Sequence, residues 1–140
     1  MEEEWTGYDG GEVQEWHWTA SQIRVAPDVT VIPQAAFRGC PNLRTVDLGS
    51  VTTISTGAFF RSHSLARVVW AAASVVEIGD GAFAQCHSLS EIDLSHATKI
   101  GSGAFWGCNS LERVSIPSSV VEIEDGAFQY KERTAPIIQS

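Results

Sequence analysis

The stretch "GAFAQCHSL", residues 81–89, sets Cys86 beside His87. A thiol next to an imidazole can serve as a metal ligand set, a redox thiol or a nucleophile–base pair. Two other pairs invite chemistry. His63 and His87 recur at one position of a repeating pattern, as a surface metal or pH-sensing pair would. Asp47 and Asp93 recur at another, with Val69 between them, at a separation that suits two glycosidase carboxylates by distance alone. None of these pairs is completed. The three cysteines, Cys40, Cys86 and Cys108, are an odd number with no C-x-x-C spacing, and no paired-histidine zinc spacing accompanies them. His17 and His96 have no evident partner. There is no nucleophile-elbow, P-loop or dinucleotide-binding motif. The sequence therefore predicts no catalytic residue, no metal site, no cofactor and no enzyme.

Charge narrows the partners. The net charge is −8, which argues against nucleic acid and against an anionic membrane. Six of the acids, Glu2, Glu3, Glu4, Asp9, Glu12 and Glu15, fall in residues 1–20, where there is no Lys or Arg. The rest of the chain is near balance, with eleven acids against nine bases. The acidity thus reads as a solvated leader. The start "MEEEWTGYDGG" has no basic or apolar signal-peptide region, no stretch approaches the ~18 apolar residues of a membrane span, and there is no N-glycosylation sequon. The chain as given reads as intracellular, and cytoplasmic by default.

The elements that would hold these residues come from a repeat. Ala-Phe occurs five times, with Phe37, Phe59, Phe83, Phe105 and Phe128 spaced by 22, 24, 22 and 23 residues. Five positions before each Phe stands Ile: Ile32, Ile54, Ile78, Ile100 and Ile123. Two before stands Gly in four cases, Gly57, Gly81, Gly103 and Gly126. Three after stand Cys40, Ser62, Cys86 and Cys108. Six after stand Leu43, Leu65, Leu89 and Leu111. Nine after stand Val46, Val68, Ile92 and Val114, and eleven after stand Leu48, Trp70, Leu94 and Ile116. Cys86 is therefore one member of a structural column. Its column should face inward beside the phenylalanines as a ladder of inert thiols. Cys86 and Cys108 would lie in neighbouring rungs with parallel Cβ vectors, which fits a disulfide poorly.

These columns resemble the leucine-rich repeats of the BspA type, and "IGSGAFWGCNSLERVSIPSSVVEI", residues 100–123, matches that unit nearly position for position. The resemblance covers about residues 22–128. It implies a leucine-rich-repeat solenoid, α/β and horseshoe-like, of about five repeats of 22–24 residues. It also implies binding or surface adhesion rather than catalysis.

The residues point to the same architecture. Val46 and Leu48 alternate with Thr45 and Asp47, the period of a strand with one buried face. A second short strand is expected at Thr52–Ile54, Val75–Ile78 and Val120–Ile123. Thr56, Asp80, Ser102 and Asp125 then read as N-caps of a short helical turn containing Gly-Ala-Phe. Small Gly and Ala would let that turn sit close to its neighbour. One such unit cannot bury its own apolar face, so units must stack.

The organisation expected is an acidic, aromatic leader and N-terminal cap at 1–20, an array at 21–128, and an irregular tail or cap at 129–140. Trp16 and Trp18, with alternating spacing, read as the aromatic cap, with a ligand-binding tryptophan patch as the alternative. After Phe128 the columns lapse. Either Tyr130, Ile137 and Ile138 fold back as a cap, or the array is truncated.

The candidate binding surface is the concave sheet face. Its columns read Gln22, Thr45, Arg67, Glu91, Arg113 and Arg24, Asp47, Val69, Asp93, Ser115. Arg67, Glu91 and Arg113 alternate in sign as cross-strand pairs do. The candidate partner-binding residues are Thr45, Asp47, Arg67, Val69, Glu91, Asp93, Arg113 and Ser115. Phe60 and Trp106, one after the phenylalanine, are candidate exposed aromatics. The expected function is a protein–protein interaction module with a protein partner. The alternative is a structural element that self-associates through its open C-terminal end.

Overall fold

The computed structural model describes residues 4–69, 77–116, 118–128 and 137–139. Five short strands, β3 (Val31–Ile32), β5 (Thr53–Ile54), β7 (Glu77–Ile78), β8 (Lys99–Ile100) and β10 (Glu122–Ile123), form one parallel sheet in the order β10-β8-β7-β5-β3. The register pairs Ile32 with Ile54, Ile54 with Ile78, Ile78 with Ile100 and Ile100 with Ile123. The isoleucine column of the sequence is thus a physical ladder with one rung per repeat. Alternation explains it: Ile32, Ile54, Ile78 and Ile100 are β-branched residues that pack inward, whereas Ile123 in the last rung is 46% exposed.

The second wall is the expected strand of the Leu-x-x-Val-x-Leu run. Here β1 (Thr6–Tyr8), β2 (Gln22–Val25), β4 (Thr45–Asp47) and β6 (Arg67–Val69) pair in parallel in that order. Ile23 lies opposite Val46, and Val46 opposite Val68. A separate parallel pair joins β9 (Arg113–Ser115) to β11 (Ile137–Gln139), with Ile138 opposite Val114. The backbone of the tail therefore adds a further strand to the ladder. Trp70, Gln129 and Tyr130, and the start of the expected Val75–Ile78 strand, lie outside the described residues.

Between the walls the five phenylalanines stack face to face. Successive ring centroids are 5.5, 5.3, 5.5 and 5.2 Å apart, and the planes are within 18° of parallel. Each ring buries a large apolar surface against the next, and the offset spacing lies in the favourable range for aromatic pairs. Leu43, Leu65, Leu89 and Leu111 are fully buried beside them.

The segment around each phenylalanine differs from the expected helical turn. Its amides alternate. Those of Ala58, Phe60 and Ser62 bond back within their own turn, to Ser55, Gly57 and Phe59. Those of Gly57, Phe59 and Arg61 bond forward, to the carbonyls of Asp80, Ala82 and Ala84 in the next rung. The same alternation recurs in the following rung, so these buried backbone groups are satisfied without a helix. It requires left-handed backbone two residues before the phenylalanine, at Ala35, Gly57, Gly81, Gly103 and Gly126. It requires it again two residues after, at Gly39, Arg61, Gln85 and Gly107. The repeated glycine answers that conformation, since a Cβ at Gly57 or Gly81 would meet nothing closer than 3.9 Å. Close approach instead governs Gly79 and Gly101, whose added Cβ would fall within 2.8 Å of the preceding rung's backbone. The expected caps also bond across rungs: Ser102 Oγ donates to the Asp125 carbonyl, and Asp80 Oδ1 accepts the Ser102 amide.

The front end closes the core with residues that the repeat does not announce. Tyr8 and His17 are buried against Phe37. His17 sits on the short helix α1 (Glu15–Thr19), not on a strand. Trp16 and Trp18, read as the aromatic cap, flank His17 on this helix, and the rings set against Phe37 are those of Tyr8 and His17. A helical turn puts His17 inward and leaves Trp16 and Trp18 59% and 48% exposed. His17 also has partners after all. The Gln14 amide donates to Nδ1 at 2.7 Å, which leaves the ring proton on Nε2, and Nε2 donates to the Gly7 carbonyl at 2.9 Å.

Candidate functional site

The thiols are the simplest group to place. Cys40, Cys86 and Cys108 are free and buried. Cys86 Sγ donates to the Phe59 carbonyl at 3.1 Å and Cys108 Sγ to the Phe83 carbonyl at 3.0 Å. Ser62, in the same column, donates its hydroxyl to the Phe37 carbonyl at 2.7 Å. The column thus places a small donor on the preceding rung's phenylalanine carbonyl, and Ser serves as well as Cys. Burial pushes the Cys40 thiol up to about 11, the Cys108 thiol up to about 12 and the Cys86 thiol well above its ordinary range. Protonated thiols of this kind are poor nucleophiles and poor ligands.

His63 and His87 do meet, with rings stacked at 4.5 Å on exposed turns. Stacked parallel rings do not converge their nitrogens on one ion. Among the described residues no group of three or more His, Cys, Asp or Glu side chains could hold a metal ion. Asp47 ends strand β4, and both Asp47 and Asp93 lie two residues ahead of a turn. Asp47 Oδ1 accepts the Gly49 amide at 3.0 Å and Asp93 Oδ1 accepts the Ser95 amide at 2.9 Å. The Ser95 hydroxyl and amide hold the Asp93 carboxyl below its usual range, the opposite of what a general acid needs.

Of the concave-face candidates, the four-stranded sheet brings together Thr45, Asp47, Arg67 and Val69, with Thr45 opposite Arg67 and Asp47 opposite Val69. Arg67 and Val69 are exposed, while Thr45 and Asp47 are half-buried. Arg113 and Ser115 lie in β9, part of the other, two-stranded unit. Glu91 and Asp93 are exposed but form no strand, so the expected Arg67–Glu91–Arg113 ladder is interrupted at its middle rung. Glu and Asp flanking a lone Ile92 favour a strand poorly. Phe60 and Trp106 are half-buried rather than exposed. Phe60 lies between the guanidinium groups of Arg38 and Arg61, each 5.2 Å from its ring centroid.

A feature that the columns did not flag lies at the front of the sheet. The Arg24 guanidinium covers the Trp5 ring at 4.3 Å and pairs with Asp47 Oδ2 at 3.5 Å. Beside it, a cleft of about 730 Å³ opens between β1, α1 and the end of β2, with Trp5, Asp9, Glu12, Trp16 and Arg24 among its walls. Repetition could not reveal it, because each of these residues except Arg24 occurs once, ahead of the array. The signals available were composition, aromatic side chains among six acids with no base, and the alternative reading of Trp16 and Trp18 as a ligand-binding patch.

The family model of the BspA type leucine rich repeat region matches residues 15–134 in six copies. The stacked phenylalanine, isoleucine and leucine ladders are the physical form of that repeat, and the chain belongs to this family. Solved bacterial structures are similar. A leucine-rich repeat protein of T. pallidum is 32% identical with a TM-score of 0.72, over 78% of this chain and 54% of that one. A leucine rich cell surface protein of Faecalibacterium prausnitzii is 34% identical with a TM-score of 0.73, over 79% of this chain and 30% of that one. A leucine-rich repeat protein of Eubacterium ventriosum is 26% identical with a TM-score of 0.62, over 90% and 36%. The chain thus spans from about a third to about half of the length of these proteins. No curated protein sequence matches it. Among the described residues no helix is long and apolar enough to cross a membrane.

Proposed function

We propose that the chain is a non-catalytic protein-binding module whose contact surface is the outward face of the β1-β2-β4-β6 sheet and of β9 beyond it. The observation that carries this reading is the contrast between faces. Inward positions repeat and are fully buried at Ile23, Val46 and Val114. Outward positions change from Arg24 and Asp47 to Arg67 and Val69 and leave an apolar side chain exposed. Packing fixes the first set, and a surface of mixed charge and apolar character is what a partner reads. The wording "cell surface" for the F. prausnitzii relative agrees with a contact role.

The test is capture of a candidate partner protein by the intact chain and by an Arg67→Glu/Arg113→Glu variant. The variant should lose the partner while it stays monomeric with an unchanged circular dichroism spectrum. The placement of β11 favours a second reading, in which copies associate end to end through the strand that it adds to β9. Sedimentation that shifts with concentration, and ceases to do so when residues 137–139 are altered, would select that reading instead.

A further inference from the structure

The cleft at the front of the sheet has the composition of a cation receptor. Trp16 stands at its wall with more than half of its surface exposed, and Asp9 and Glu12 line the same space. The one guanidinium that lines it, that of Arg24, is already neutralised by Asp47 and stacked on Trp5. The cleft therefore carries two carboxylates that no lining base balances. Glu4 and Glu15 in the same leader add acids and no Lys or Arg, and a concave wall of net negative charge concentrates the opposite charge. At about 730 Å³ it has the size of a small-molecule site. The contact of Arg24 with Trp5 shows the mode of recognition within the same walls, a planar cation on an indole face.

We propose that this cleft binds an organic cation, a guanidinium or alkylammonium group, which lies on the Trp16 ring with Asp9 and Glu12 neutralising it. The group can arrive as a free small molecule or as a side chain of a basic peptide. The cleft borders the outward sheet face, because Gly7 and Arg24 belong to both, while the recognising residues Trp16, Asp9 and Glu12 lie outside the strands of that sheet.

The experiment titrates the full chain with N-acetylarginine amide and with its neutral isostere N-acetylcitrulline amide, and reads tryptophan fluorescence and calorimetry. Choline against 3,3-dimethylbutanol gives the same contrast for an alkylammonium. Saturable binding of the cations, with several-fold weaker binding of the isosteres, is expected. Trp16→Ala should weaken cation binding by about threefold to thirtyfold, the range of a cation–π contact. Asp9→Asn/Glu12→Gln should weaken it and flatten its salt dependence. All of these positions are exposed, so the thermal midpoint should stay unchanged. A peptide with several arginines that binds more tightly than the single residue assigns the source to a partner protein, and equal binding per group assigns it to a small molecule. Equal binding of the cations and their isosteres, no saturable signal with any probe, or full affinity in Trp16→Ala would each overturn the proposal. Loss of partner capture in Arg67→Glu/Arg113→Glu with cation binding intact would separate the two sites.

Discussion

The Tyr8 ring stands edge-on to Phe37 at 5.1 Å, with the planes 79° apart, and so ends a stack in which every later pair is parallel. A parallel ring presents an identical face to the next, so a stack has no intrinsic end. The perpendicular Tyr8 closes it and directs its hydroxyl to the Gly11 carbonyl at 2.7 Å. Tyr8→Phe should cost about 1 kcal/mol, the usual worth of one hydrogen bond. Tyr8→Ala should cost about 3–5 kcal/mol through the cavity over Phe37. Urea midpoints of the two variants measure the difference, and equal midpoints would remove Tyr8 from the cap.

The thiols carry a pH dependence. Burial raises Cys40 to about 11 and Cys108 to about 12 from an ordinary 9.0, so the folded chain keeps protons that the unfolded chain has released. Stability from this source is complete below pH 9.0 and falls as pH rises towards those folded values. Urea midpoints should fall across that window, and less so in Cys40→Ser/Cys108→Ser. At neutral pH a thiol reagent should label the native chain slowly and all three cysteines at once in denaturant. Rapid labelling without denaturant would contradict the inward column.

Leu89 and Ser90 test the register. Leu89 is fully buried and Ser90 is exposed. Leu89→Ala should cost about 2–5 kcal/mol, and Ser90→Ala should stay within about 0.5 kcal/mol. Thermal melts of the pair decide it.

That register was legible because five copies repeat it. Phe83 or Ile78 alone says little, but a column of five reports a shared environment. The same logic explains what escaped. Tyr8, His17 and Trp5 occur once, outside any column, so no period marks them, and the alternation of Trp16 with Trp18 imitates a strand where a single helical turn stands. The broken rung at Glu91–Asp93 keeps its hydrophobic pattern, so the pattern alone could not show the loss of pairing. The glycine column was visible, yet its cause was not, because left-handed backbone and close approach select the same residue.

The two causes separate by substitution. Gly103 has φ of 61° and Gln85 has φ of 59°. Gly103→Ala should destabilise by about 1–2 kcal/mol, the usual cost of a left-handed L-residue. Gln85→Gly relieves that strain and should be neutral or slightly stabilising, since the added freedom of the unfolded chain opposes the gain. The denaturation midpoint should fall below the parent in Gly103→Ala and stay at or above it in Gln85→Gly, and a loss in Gln85→Gly equal to that in Gly103→Ala would reject strain as the cause.

Gly101 tests close approach. Its backbone is not left-handed, yet a Cβ there would lie 2.5 Å from Asp80 Oδ1 and 2.6 Å from the Asp80 nitrogen. Backbone cannot swing aside as a side chain can, so the rungs must part. That strains the Gly101 amide bond to the Ile78 carbonyl and the Ser102 amide bond to Asp80. Gly101→Ala should cost about 3 kcal/mol, the upper end for an overpacked site. Gly7→Ala is the control. A Cβ there would meet nothing within 4 Å, and the change should stay within about 0.5 kcal/mol. Because each rung touches only its neighbours, the damage should be local. In hydrogen exchange, the Phe83 amide, bonded to the Ala104 carbonyl across the altered contact, should lose protection. The Phe37 amide, bonded to Ala58 two rungs away, should keep it. Uniform loss at both amides would mean that the solenoid opens as one unit rather than rung by rung.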